Sequence, residues 1–362
     1  MSAGVCYSAQ SGNLGTVTAL MSDRRGKVRA AAGLRQVSDL EALLSGYIPP
    51  RRPAEPVTPE TVAAALQISR HWESSEAGEW LVGSPAHKRA TCALLGETFN
   101  PYRPAVIAWP KLDPQELQRL KSLPIWDIAV QTEGRARLNF AAYAESLGDP
   151  DMRAAILLNA WEEGRHKQVL SKLVEAYGIA LAEEPPYKPP RDGEWAYLVT
   201  GYSESIDSFF AFGLFDLARR SGFFPVELVE TFEPVIQEEC RHILFFANWL
   251  AWHRANLPWW RRLLFELRVA AVWIHIGWLR VQMARTVGPA GKGERRDANF
   301  TVHGAQSVSP VEIGFRDLLT LCLAENDRRF AGYDRRLVRP TAIPSLFRFV
   351  LGISKLWMRP KR

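Results

Sequence analysis

The pentapeptide Glu-Glu-x-Arg-His occurs twice in this 362-residue chain, at 162–166 and at 238–242. A glutamate and a histidine three positions apart share one face of an α-helix, so Glu163 with His166, and Glu239 with His242, can each reach a common point. The sequence holds no other Glu-x-x-His. One such match is common on a solvated helix face, whereas two extended copies, one in each half of a helical region, form a constellation. The chain is therefore expected to bring two helices face to face with their paired donors inward.

The flanking sequence supplies those helices. Residues 125–146 are amphipathic and rich in helix formers. Gly148-Asp149-Pro150 breaks the run and starts a second, which stops at Gly178. After a proline-rich crossover (EEPPYKPPRDG), a third helix is expected over 194–220 and a fourth over about 225–253, where Pro234 marks a kink or a restart. Apolar residues recur at helical spacing almost throughout, and strand patterns are nearly absent. Two helical hairpins joined by a longer crossover have the connectivity of a four-helix bundle. The expected fold is all-α: residues 1–123 a helical and linker region with a proline-rich linker at 49–59, residues 124–257 the bundle, and residues 258–362 a helical extension with a basic tail.

A pair of metals held by two Glu-x-x-His helices needs a further carboxylate from each of the other two helices. Glu133 lies 30 residues before Glu163, and Glu204 lies 35 before Glu239, which places both at a similar depth in their hairpins. The expected ligands are Glu133, Glu163, His166, Glu204, Glu239 and His242. Carboxylate and imidazole donors suit two iron ions, with manganese compatible in one or both positions; the lack of a thiolate cluster argues against structural zinc. Glu162 and Glu238 are placed to hold the ring N–H of the histidine in the opposite hairpin, with Arg165 and Arg241 neutralising them. The competing expectation for these four is an outward, salt-bridged face.

On these motifs, residues 124–253 resemble the ferritin-like di-iron carboxylate superfamily, which includes bacterioferritins, the ribonucleotide reductase small subunit, acyl-carrier-protein desaturases and aldehyde-deformylating oxygenases. The doubled Glu-Glu-x-Arg-His is most similar to the desaturases. The resemblance implies a ferritin-like bundle whose two irons activate O2 to oxidise an organic substrate, by hydroxylation, desaturation or a related reaction. Three positions depart from the sub-families. Leu170 stands where the reductase subunit has its radical tyrosine, Val235 where arylamine N-oxygenases have a histidine, and Asp207 where desaturases have a threonine. Asp207 is thus an extra ligand, a proton relay or a solvated carboxylate. An iron-handling ferroxidase with the same ligands is the alternative function, and a non-catalytic helical interaction protein is a more distant one.

Charge narrows the partners. Eight Lys or Arg and no acid follow residue 334; the remainder carries 37 basic against 39 acidic residues. The basic character belongs to the tail, so nucleic acid is not an expected partner. The tail is a candidate for peripheral contact with a membrane or an acidic carrier protein, or for a packed amphipathic helix. O2, an apolar substrate, an electron donor such as a ferredoxin or flavin reductase, and a second copy of the chain are the other expected partners. Aromatic residues crowd the third to fifth helices, as either core or substrate pocket. Four scattered cysteines, a first segment without an apolar core, and a longest uncharged apolar run of only residues 269–279 make the expected location cytoplasmic.

Overall fold

The computed structural model describes residues 36–50, 58–123, 125–286 and 314–357. Of the helical region expected to open the chain, residues 1–35 lie outside them and the rest contains the first helix; the centre of the proline-rich linker, residues 287–313 and the last five residues of the tail also lie outside. The helices are α1 (Val37–Ser45), α2 (Pro59–Arg70), α3 (Pro85–Glu97), α4 (Pro114–Ser122), α5 (Trp126–Ser146), α6 (Pro150–Ala176), α7 (Gly193–Ser221), α8 (Val226–Glu230), α9 (Glu233–Asn256), α10 (Trp259–Thr286), α11 (Phe315–Phe330) and α12 (Ala342–Trp357). The described residues form no strand; one isolated bridge joins Trp72 to Tyr333.

Local chemistry sets the ends of these helices. The side chains of Thr58, Ser84, Asp113, Asp149 and Asp192 accept hydrogen bonds from first-turn amides of α2, α3, α4, α6 and α7, each satisfying donors that the helix leaves open. Gly178 and Gly222, at φ of 59° and 62°, follow α6 and α7 in the left-handed conformation that stops a helix. Pro234 acts as a restart: α8 ends at Glu230, and the proline occupies the first turn of α9, where its missing amide costs nothing.

Packing follows a closed circuit: α5 lies against α6 and α7, and α9 lies against both α6 and α7. The flanking helices cover it. α3 crosses α6 and α9, α1 rests on α5 and α6, and α10, α11 and α12 all pack on α7. Tyr197, Phe140, Phe245 and Trp249 fill one apolar core. Phe209, Phe210, Leu214 and Leu217 fill another, closed by α12, whose Phe347 stacks on Phe209 with centroids 5.2 Å apart. The tail helix therefore has one packed face, while Leu346, Phe349 and Val350 stay exposed. α10 buries Phe265, Val269, Val272 and Ile276 and exposes Trp259, Leu263, Leu267, Ile274 and Trp278. No helix among the described residues is long and apolar enough to cross a membrane.

α7 and α11 approach closely at Gly213, where an added Cβ would lie 2.4 Å from Cys322 Sγ and 3.0 Å from its backbone. Gly213→Ala must push the helices apart, which overpacking data put at about 1–3 kcal/mol. Gly96→Ala, where a Cβ meets nothing within 4 Å, is the control. Urea unfolding should show the loss at Gly213 alone; equal midpoints for the two variants would contradict the close crossing.

Candidate metal centre

α6 and α9 turn their pentapeptides toward each other. Glu162, Glu163, Arg165, His166, Glu238, Arg241 and His242 are at most 2 % exposed. The outward salt-bridged face is therefore not what forms.

Each histidine is held from the opposite helix. His166 Nε2 lies 2.9 Å from Glu238 Oε2, and His242 Nε2 lies 2.8 Å from Glu162 Oε2. Arg241 Nη2 donates to both oxygens of Glu162 at 2.7 Å, and Arg165 Nη2 donates to Glu238 Oε1 at 2.5 Å. Burial acts to raise Glu162, but Arg241, His242 and Arg165 outweigh it and bring its carboxyl down to about 2. An ionised carboxylate on Nε2 keeps the ring proton there and leaves Nδ1 as the free donor atom.

Both Nδ1 atoms face one acidic group. His166 Nδ1 is 3.0 Å from Glu239 Oε1, 3.5 Å from Glu163 Oε2 and 3.8 Å from Glu133 Oε2. His242 Nδ1 is 2.8 Å from Glu163 Oε1, an approach without hydrogen-bond geometry. Both Nδ1 atoms, Glu163 Oε1 and Glu204 Oε1 are buried with no hydrogen-bond partner. One donor atom from each of Glu163, His166, Glu239 and His242 lies within 4.8 Å of the other three. Glu133 and Glu204 adjoin this group. Burial first, then the charges of Glu163 and Glu239, pushes both carboxyls well above the usual range. Burial pulls His242 down, yet Glu163 and Glu162 prevail and lift it to about 9.

This group can hold a metal ion. Buried polar atoms without partners are costly, and carboxylates at close quarters repel; a cation among them answers both. The donors are carboxylate and imidazole with no thiolate, a set that fits iron or manganese.

Asp207 stands outside the four-residue group. Its Oδ2 accepts from Arg280 Nη2 at 2.7 Å, and its side chain is 45 % exposed. Among the other histidines, His87 is buried against Asn248 and belongs to the core; His71, His253 and His275 are not in the donor group, and His303 is outside the described residues.

The loop after α3 completes the setting. Arg165 Nη1 donates to the Asn100 carbonyl at 2.5 Å, and Arg241 Nη1 to the Thr98 carbonyl at 2.8 Å. The Tyr102 hydroxyl donates to Glu238 Oε2 at 2.9 Å, and the Arg165 guanidinium lies over the Tyr102 ring at 4.0 Å. From α7, Ser208 Oγ donates to Glu239 Oε2 at 3.3 Å. Sequence pattern gives no sign of these partners, because loop residues carry no period and a hydroxyl neighbour leaves no motif.

A cavity of about 330 Å³ opens on the donor group. Glu133, Glu163, His166, Glu204 and Glu239 form its floor, and Ile128, Val169, Leu170, Phe210, Val235 and Ile236 contribute apolar wall. Asp207 and Arg280 also lie on it.

No protein-family model matches the chain, and no curated protein or solved structure matches it.

Removing one partner of a buried ion pair strands the other charge, at about 3–5 kcal/mol. Arg241→Leu leaves Glu162 with Arg165 at 3.3 Å as its remaining guanidinium, so the metal-free protein should lose stability on that scale. Lys172→Ala, which breaks an exposed pair with Glu175, should cost less than about 1 kcal/mol. Denaturant unfolding of both variants checks the contrast; similar small losses would show that Arg241 does not sustain a buried charge.

Proposed function

We propose that the chain is a ferritin-like di-iron oxidoreductase, in which α5, α6, α7 and α9 form the four-helix bundle and Glu133, Glu163, His166, Glu204, Glu239 and His242 hold the two ions. The observation that carries this reading is the convergence of two unpartnered Nδ1 atoms on buried carboxylates, with each Nε2 already committed to a glutamate. When bound and reduced by an electron donor, a pair of irons would supply O2 activation and the oxidising power for a C–H, N–H or aldehyde substrate.

The chain's own residues do the rest. Glu162 and Glu238 fix the tautomer of His242 and His166; Arg241 holds Glu162 ionised, and Arg165 pairs with Glu238. Glu133 and Glu204, whose carboxyls burial and neighbouring charge push well above the usual range in the metal-free chain, are the carboxylates that a bound cation would relieve most. The apolar wall orients an apolar substrate and excludes water from the reacting face. Asp207, tied to Arg280 on the cavity wall and partly open to solvent, is assigned as a proton relay rather than a ligand.

The same donors would serve a ferroxidase. The apolar cavity against the donor group favours an organic substrate, since hydrated ferric iron leaving the site gains nothing from Val169, Leu170 or Phe210. The unpartnered buried donors weigh against a purely structural helix assembly.

Anaerobic loading with ferrous iron should give about two ions per chain by elemental analysis, and His166→Ala or Glu239→Ala should abolish tight binding. Ferrous iron beyond those two equivalents should not accumulate in the soluble protein after O2 exposure. An iron-free reconstituted protein would end the proposal, and retention of tens of ions per chain on size exclusion would turn it toward storage.

A further inference from the structure

A second cavity lies between α7, α9, α10 and α11 and is closed by residues 338–344, which lead into and begin α12. It shares no lining residue with the cavity at the donor group. Its volume is about 350 Å³, within the range of small-molecule sites. Phe209, Phe212, Ile243, Phe246, Val269 and Trp273 make most of its wall apolar.

Two arginines border this space, and they differ in one respect. Arg254 is paired: its Nε and Nη2 donate to Glu266 at 2.8 and 2.9 Å. Arg339 has no carboxylate at ion-pair distance among the described residues. Its Nη2 donates to the Tyr333 carbonyl at 2.6 Å, and its Nη1 is buried with no partner. The acid nearest in sequence, Asp334, is taken by Arg336 at 2.6 Å. A guanidinium stays charged at any ordinary pH, and a buried charge is costly unless an anion meets it. Its planar donors match a carboxylate in particular. Apolar walls on one side and an unanswered cation on the other are the two halves of a site for a molecule with an apolar chain and an acidic head.

We propose that this cavity binds an amphiphilic carboxylate, its chain among Phe209, Phe246 and Trp273 and its head group on Arg339. The site is independent of the metal reading, because none of its residues belongs to the donor group.

Titration calorimetry of the full-length protein with dodecanoate, dodecanol and dodecyltrimethylammonium, each below its aggregation concentration, tests this. One dodecanoate per chain is expected, bound at least about tenfold more tightly than dodecanol, the difference a charge-assisted hydrogen bond provides. The cationic amphiphile should bind most weakly. Arg339→Met should erase the preference for the acid while leaving dodecanol binding unchanged. Ala247→Phe, which fills the cavity and keeps the arginine, should abolish binding of both. Absent dodecanoate binding, equal affinity for acid and alcohol, or undiminished binding in Ala247→Phe would each overturn the assignment. The comparison of acid with alcohol on the unaltered chain decides the head-group claim even where Arg339→Met fails to fold.

Discussion

The structure depends on a reciprocal grip between two helices. Glu162 of α6 holds His242 of α9, and Glu238 of α9 holds His166 of α6, each glutamate backed by an arginine. Buried ion pairs are seldom the cheapest way to stabilise a core, since well-packed apolar residues often do as well or better. What they supply here is orientation. With Nε2 bound, each imidazole has one remaining nitrogen, and the helix geometry points both toward the same carboxylates. A slip of α6 against α9 by one turn would break all four contacts at once, so the grip also fixes register.

That arrangement explains why the four central helices are wrapped rather than bare. A buried guanidinium has five N–H donors to satisfy. Carboxylates take some from Arg165 and Arg241, and the loop carrying Thr98, Asn100 and Tyr102 takes others. The loop is held in place by α3, which lies across α6 and α9. On the far side, Arg329 of α11 pairs with Glu233 at the start of α9, which ties that helix to the C-terminal part of the chain. The regions outside the central circuit thus contribute to the setting of the donor group as well as to the core.

Much of this was legible in the sequence because periodicity converts directly into placement. Spacing of three puts Glu163 and His166 on one helix face, and the repeat at 238–242 says that a second helix does the same. The crossed pairing of Glu162 and Glu238 was only half legible: i,i+4 spacing lets each reach its own histidine as readily as the opposite one, and the folded helices decide for the opposite one. Depth along the hairpins pointed to Glu133 and Glu204, and both line the cavity at the donor group. Cavities were not legible: Val235 and Phe245 sit on the same helix in the same apolar pattern, yet one lines a void and the other fills the core. Nor was the distinction between Arg254 and Arg339, which lies entirely in what the folded chain brings near each.

The central claim is that the converging donors hold two irons side by side. Iron-edge X-ray absorption of the anaerobically loaded protein measures this most directly. The account predicts nitrogen and oxygen neighbours alone, with a second iron at about 3.5–4 Å, the spacing of two-metal sites. An isolated iron without that neighbour, or a sulfur ligand from Cys240 or another cysteine, would contradict it.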